Sequence, residues 1–491
     1  MEIQSNAKIA VVGAGAMGAG IAQVAAAAGH PVCVVDTSPE ALDRGRALVE
    51  RSLAGLVRRG AVTDQAKTAI AAAIDWTLDL SQAASAALVI EAVVERADVK
   101  TALFRALAAA APPETILASN TSSLSIEDLG DASGRPERFI GLHFFNPAPV
   151  MKLVEVVAGP RTLPEVTLAA FVLMRRWGKH AVMARDVPGF IVNRVARPYY
   201  AEGFAALAEG MNPADIDHAL TAAGGFPMGP LALGDLIGHD VNYAVACSVH
   251  QAYEGRTRFR PQPAQGALVA DGHLGRKTGQ GVYDHDQPLP KPGLAPTAAR
   301  SIILLVGPLP GRFEYLVQTA RAAGLRVGID ADLPPERLVV DGFRLAFGDG
   351  RRLVDRPDLD VLIDPPRDLG QAKTLVLTAS RGAAADAAAG LAQALGLSAL
   401  RVSDRPGQIV LRTLAQLANA AADAVADDVA SAEDVDLALV HGANHPQGPL
   451  AWARAFGPTQ LASVLQNIAD ATGDGLYAPA PLFSILETNH V

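Results

Sequence analysis

Cysteine is nearly absent: among 491 residues only Cys33 and Cys247 occur, far apart and outside any C-x-x-C pair. That excludes a disulfide framework and a thiolate zinc site, and it fits a reducing cytoplasm. No apolar run of about 18 residues is free of charges or helix breakers, so no membrane span is expected. Residues 1–8 form a short polar lead with no basic segment and no small-residue cleavage site, which argues against a secretory signal. Positive charge is in deficit too, the formal net charge being −9. Nucleic acid needs a basic face that displaces counterions, so it is not an expected partner. A phosphorylated cofactor stays open, because a few local donors suffice for one.

What the chain does have is core. Half of its residues are hydrophobic and 19% are charged, a globular composition. The length suggests about three domains of roughly 150 residues. Residues 8–12 (KIAVV) form an apolar run that breaks at Gly13 and leads through GAGAMG into a helix-like stretch. Gly29 stops that stretch, and PVCVVD follows. This is a strand, glycine turn, helix and acid-ended strand, one βαβ unit. Further strands read at 88–92, 115–119 and 139–144, separated by helical stretches, which implies a parallel sheet.

Around Asp186 the texture changes: from Pro188 to Leu236 the pattern is helical and strand-like runs vanish. Residues 285–297 (HDQPLPKPGLAPT) are Pro-rich, a linker by composition. The chain then repeats itself. DVPGFIVNR, ADIDHAL and FPMGPLALGDLIG within 186–238 are matched by DRPGQIVLR, EDVDLAL and HPQGPLAWARAFG within 404–457, with one inserted residue. More weakly, SIILLVG (301–307) stands where KIAVVG stood, AAGLRVGID (322–330) where AAGHPVCVVD stood, and DVLID (360–364) where LVIEA stood. The expected architecture is an α/β Rossmann-type domain over 1–185 and an all-α domain over 186–284. A linker over 285–299 leads to a degenerate Rossmann-like domain over 300–403 and a second all-α domain over 404–491, an internal duplication.

A lone G-x-G-x-x-G says little, but Gly13, Gly15 and Gly18 follow a strand, open a helix and precede the acid Asp36. In that context the glycines serve the tight turn, the close approach of a pyrophosphate and the packing of the helix on the sheet. The helix amides face the phosphates. Asp36 accepts ribose hydroxyls and repels a 2′-phosphate, so NAD is the expected cofactor. Beyond this, polar residues gather at the predicted strand and helix ends: SNTSSL (119–124), HFFNP (143–147), Glu155 in MKLVEVV and Asn193 in GFIVNR. Oxidation of an alcohol needs a base, and His143 with a carboxylate partner would serve. From the residues alone, His143 could equally be a capped core histidine, and Glu155 the polar side of an edge strand. His441 and His445 are four apart, but no HExxH surrounds them and no metal is expected.

GAGAMGAGIAQVAA, VIEAVVE, LASNTSSL, GLHFFNPAPVMKLVEV, DVPGFIVNR, GFPMGP and GRKTGQGVY occur in that order over residues 7–284. In this the chain resembles the L-3-hydroxyacyl-CoA dehydrogenases. The resemblance implies NAD-dependent oxidation of a 3-hydroxyacyl-CoA, with His143 as general base and Glu155 orienting it. It implies that Ser122 and Asn193 hold the substrate oxygen. Glu95 and Lys100 would line the nicotinamide ribose side, and Met17, Asn146 and Lys277 would make further cofactor contacts. Ser52 and Arg59 fall where the family touches coenzyme A, Arg59 replacing a lysine; a solvated helix face explains that pair nearly as well. The long form is similar to bacterial enzymes of aromatic-acid breakdown acting on 3-hydroxyadipyl-CoA, and 3-hydroxybutyryl-CoA is equally compatible. An adipyl carboxylate would want a cation, for which Arg194 and Arg197 stand near Asn193 in sequence. The rival readings are a non-catalytic NAD or acyl-CoA binder on the same fold and a dehydrogenase of free 3-hydroxyacids. Short members pair their helical domains between subunits. The second helical domain is therefore expected to form an internal pseudo-dimer with the first, and a homo-oligomer stays open. In the second unit, Pro308 and Pro310 interrupt the glycine turn and Leu411 matches Asn193, so one active site per chain is expected.

Overall fold

Short apolar strands alternating with helices build two sheets in the computed structural model, which describes residues 2–296, 303–307 and 311–485. The chain divides into two compact units. One is Met1–Arg194 with Asp427–Ala443, the other Val195–Ala426 with Asn444–Val491.

The first unit is built on β1 (Ile9–Val12), β2 (Val32–Val35), β3 (Ile74–Thr77), β4 (Leu88–Glu91), β5 (Ile116–Ser119), β6 (Phe139–Phe144), β7 (Leu153–Ala158) and β8 (His180–Arg185). They stand in the order β3-β2-β1-β4-β5-β6-β7-β8. β1 to β6 are parallel, β7 turns antiparallel to β6, and β8 runs parallel to β7. β1, β2, β4 and β5 are buried along their whole length, which is why they read as continuous apolar runs. The edge strands β3 and β8 escape that reading because they are only partly buried, with Asp75 and His180 exposed. Glu155, by contrast, is not on an edge: β8 covers its strand and its side chain is fully buried.

Helix Ala432–Gly442 belongs to this unit although its sequence lies in the expected second all-α domain. It packs on β7 and β8, with Gly442 against Leu153 and Val192. The Arg185 amide donates to the Val429 carbonyl at 2.8 Å.

In the second unit, helices Arg197–Ala208, Pro213–Ala222, Pro230–Ile237, His239–Ala252 and Pro263–Ala270 realise the expected helical stretch. A second sheet follows, made of β9 (Ile303–Val306), β10 (Arg326–Ile329), β11 (Leu338–Val340), β12 (Phe343–Phe347), β13 (Val361–Asp364), β14 (Thr374–Ala379) and β15 (Ser398–Arg401). β9, helix Glu314–Ala322 and β10 form a βαβ unit, as expected; Pro308 and Pro310 lie outside the described residues. The sheet then departs from a parallel Rossmann pattern. β11 and β12 form a hairpin across Asp341 and Gly342, whose φ values of 50° and 84° suit a tight two-residue turn. β13 lies beside antiparallel β14 as β6 lies beside antiparallel β7. Among the described residues no helix is long and apolar enough to cross a membrane.

His445 is buried against the rings of Tyr199 and Phe226, and that burial pulls its imidazole down to a pKa of about 3. A histidine whose folded pKa is depressed stabilises the fold above its unfolded value near 6.5 and loses that contribution as pH falls toward the folded value. Relative to His445→Gln, the wild-type unfolding free energy should fall by about 1.4 kcal/mol per pH unit between roughly pH 6 and pH 4. Denaturant unfolding across that range checks it; a difference that stays constant with pH contradicts it.

Candidate active site

Because β1, β2, β4, β5 and β6 are parallel, their carboxyl ends open on one edge of the sheet. β2 and β4 flank β1 on opposite sides, so connections leave it in both directions and a crevice forms there. Gly13 leaves β1 at φ 111°, and a side chain at Gly18 would meet the Gly13 carbonyl oxygen at 1.8 Å. Nothing lies within 4 Å of the place a Gly15 side chain would take, so the first amides of helix Ala16–Ala27 are approachable. At the end of β2, Asp36 is held by the Ala14 amide at 2.8 Å and the Ser38 amide at 3.1 Å. Glycine cradle, open helix start and oriented carboxylate fit a dinucleotide. Met17 stands in the first turn of that helix, partly buried against the core.

At the end of β4 lies a group that the sequence reading missed. Glu91 is fully buried and receives the Lys100 ammonium at 2.5 Å, the Ser119 hydroxyl at 2.6 Å and the Val93 amide at 2.7 Å. The same ammonium reaches Glu95 at 3.1 Å. Glu95 in turn accepts from the Thr121 hydroxyl at 2.6 Å and the Ser122 amide at 2.9 Å. Burial pushes Glu95 up, but the Lys100 charge and these hydrogen bonds outweigh it and hold the carboxyl below its ordinary value. The signal in the sequence was an acid closing the apolar run LVIE.

His143 and Glu155 face each other directly across β6 and β7. The ring Nδ1 is 2.5 Å from one carboxylate oxygen, and the other accepts from the amides of Ile191 and Val192, each at 2.9 Å. Those amides converge because Gly189 and Phe190 both take positive φ, 79° and 46°. Phe145 and Phe190 flank the imidazole at 4.4 and 5.8 Å between ring centres. Asn120, also missed, accepts from the Phe144 amide at 2.8 Å and ties the end of β5 to the histidine strand. Ser122 and Asn193 are half-buried, Ser122 in the loop after β5 and Asn193 in helix Val192–Val195. Asn146 is exposed in the loop after β6. Ser52 and Arg59 sit seven residues apart along helix Pro39–Arg58 and its cap, on one face, without a hydrogen bond or ion pair to a described residue. Lys277 lies in the other compact unit, where its ammonium pairs with Asp240.

The family model for the 3-hydroxyacyl-CoA dehydrogenase NAD binding domain matches residues 8–187. That for the 3-hydroxyacyl-CoA dehydrogenase C-terminal domain matches 189–285 and again 407–489. The 3-hydroxyadipyl-CoA dehydrogenase of Escherichia coli (strain K12) is 40% identical over 487 residues, 98% of each chain. A probable 3-hydroxybutyryl-CoA dehydrogenase of Deinococcus radiodurans is 43% identical over 57% of this chain and 100% of its own. The crystal structure of 3-hydroxybutyryl-CoA dehydrogenase from Escherichia coli K12 superposes with a TM-score of 0.88 at 39% identity, covering 98% of this chain and 99% of that one.

Lys100→Met should destabilise the protein by about 3–5 kcal/mol, because it strands the buried Glu91 charge. Adding Glu91→Gln should recover part of the loss. Denaturant unfolding of the two variants checks this; a single variant within 1 kcal/mol or so of wild type contradicts a buried charged pair.

Proposed function

The chain belongs to the 3-hydroxyacyl-CoA dehydrogenase family, and we propose that His143 is the general base of its NAD-dependent reaction, positioned by Glu155. The observation that carries this is the buried Glu155 carboxylate, bound to His143 Nδ1 on one oxygen and to two amides on the other. A carboxylate only accepts, so Nδ1 carries the hydrogen and Nε2 is the basic nitrogen. Nε2 takes the proton of the substrate C3 hydroxyl, and the Glu155 charge stabilises the imidazolium that results. NAD, when bound in the glycine crevice, supplies the acceptor for the hydride that leaves C3. Ser122 and Asn193 hold the substrate oxygen and polarise it. Asp36 receives the ribose, and Gly13, Gly15, Gly18 and Met17 surround the pyrophosphate. Glu95, Lys100, Asn146 and Lys277 make further cofactor contacts, while Ser52 and Arg59 meet coenzyme A. In the reverse direction His143 returns its proton to the oxygen. For the acyl group we infer 3-hydroxyadipyl or 3-hydroxybutyryl, the groups for which the long and short relatives are named.

We further infer that the chain is an internally duplicated unit of four domains, divided as the sequence suggests. The double match of the C-terminal family model supports this, and so does the backbone. The positive φ of Gly189, Phe190, Gly210, Gly225 and Gly238 recurs at the aligned Gly407, Gln408, Asp428, Asn444 and Gly457. A positive φ at a residue such as Phe or Gln is uncommon, so the match at 190 and 408 is informative. The contacts are reciprocal as well. Arg194 pairs with Asp427, and their aligned counterparts Arg412 and Glu209 approach to 3.6 Å. Helix Pro213–Ala222 touches β14, while its counterpart Ala432–Gly442 touches β7 and β8. Residue i on j′ and j on i′ is the reciprocity of a symmetric dimer. Helix Arg197–Ala208 packs on Val410–Ala426, which supports an internal pseudo-dimer.

The register favours one active site per chain. Asp364 faces Val376 where His143 faces Glu155. Asp364 accepts directly from the amides of Ile409, Val410 and Leu411, and its burial raises the carboxyl to about 6 against those hydrogen bonds. The base is thereby replaced by a structural acid, and Leu411 replaces the amide of Asn193.

His143→Gln should lower turnover with acetoacetyl-CoA by at least about 10²-fold while NADH affinity stays near wild type. Near-normal turnover removes His143 from the mechanism. Fluorescence titration should find one NADH per chain; two equal sites contradict the replacement of the second base.

A further inference from the structure

In the second sheet β11 runs antiparallel to both β9 and β12, and β12 is parallel to β13, so β9, β12 and β13 end on one edge. Open α/β sheets take ligands beyond the carboxyl ends of their strands. On that edge lies a cavity of about 380 Å³, lined wholly by the second compact unit. Its size is at the small end of the range for ligand pockets, about 300–1,000 Å³. Phe347 closes β12, Pro365, Pro366 and Arg367 follow β13, and Arg312 stands in the turn between β9 and helix Glu314–Ala322. Helix Pro449–Phe456 adds the rings of Trp452 and Phe456. Arg312 lies over the rings of Phe347 and Phe456, at 5.3 and 5.1 Å. Its Nε and Nη1 are buried and make no hydrogen bond; of the carboxylates, Glu336 meets its Nη2 at 3.5 Å. Burial depresses the guanidinium, and the charges of Glu336 and Asp349 do not offset it. Arg367 gives its three nitrogens to neutral oxygens: the Gly224 carbonyl at 3.2 Å, Gln447 at 3.1 Å and Gln371 at 2.9 Å. Among the described residues of the lining, Asp368 is the one acid, and it accepts from the Gly370 amide at 2.9 Å. A guanidinium withdrawn from water with hydrogens unanswered is unfavourable by itself and becomes favourable when an anion joins it.

We propose that this cavity binds a small planar aromatic carboxylate, in a site made without any residue of the proposed dehydrogenase machinery. The ring faces of Phe347, Trp452 and Phe456, with the flat faces of two prolines, suit a flat apolar body. A carboxylate supplies both things that Arg312 lacks, a charge and an acceptor for its free hydrogens. Two cations against one acid on the lining leave room for a single negative charge, which favours a carboxylate over a doubly charged phosphate.

Tryptophan fluorescence of the intact chain tests this. Of the three tryptophans, Trp452 borders the cavity, while Trp76 and Trp177 lie in the first compact unit. Benzoate should change the emission saturably, with a Kd of about 1 mM or tighter. Benzamide, its neutral counterpart, and acetate, which lacks the ring, should bind at least about tenfold more weakly. Trp452→Phe should remove the signal. Arg312→Met should weaken benzoate about tenfold or more while its circular dichroism stays that of the wild type. The comparison of benzoate with benzamide needs no variant and decides the matter even where Arg312→Met does not fold. Benzoate and benzamide binding alike, or emission that does not saturate by about 10 mM, overturns the site. So does a benzoate response that persists in Trp452→Phe, or a folded Arg312→Met that binds benzoate as the wild type does.

Discussion

One buried carboxylate, Glu155, joins three parts of the first compact unit: its own strand, the histidine strand beside it, and the turn that opens the helical stretch. A carboxylate at zero exposure is tolerated only when its oxygens are satisfied, so each partner is a structural requirement. The antiparallel step between β6 and β7 sets the register that puts His143 opposite it. The left-handed turn at Gly189 and Phe190 aims the next two amides at its second oxygen. Asn120 and the Glu91–Lys100–Glu95 chain then fix the neighbouring strand ends, so this edge of the sheet is held by side-chain hydrogen bonds and ion pairs. In the proposed mechanism this rigidity matters because a base must meet its proton within hydrogen-bond reach.

On the proposed duplication, the second repeat meets the same structural requirement with different chemistry. Its turn at Gly407 and Gln408 also presents amides to a buried carboxylate, but that carboxylate is Asp364 on the strand where the base should be. The shorter arrangement keeps the fold and leaves no imidazole. Reciprocal arginine pairs, with Asp427 and with Glu209, then give the second repeat a packing role that needs no cofactor.

The sequence made local chemistry legible and long-range pairing much less so. The glycine turn and Asp36 could be read because turn, helix start and acid lie within one βαβ unit. From the residues alone His143 and Glu155 could be named but not joined; only the family resemblance paired them, because a strand pairing twelve residues apart decides whether they meet. Glu91 was passed over because its partners come from a helix, the next strand and the following loop. β3 and β8 hid in short, partly exposed stretches. The place of helix Ala432–Gly442 depends on packing against strands about 250 residues earlier, which no local pattern carries.

The central claim is that Glu155 acts through His143. A double-mutant cycle on kcat with acetoacetyl-CoA, using His143→Gln, Glu155→Gln and the pair together, measures this directly. The account predicts that Glu155→Gln lowers kcat in the wild-type background and costs almost nothing further once His143 is gone. Losses that multiply, each variant reducing kcat by its full factor in the presence of the other, would contradict it.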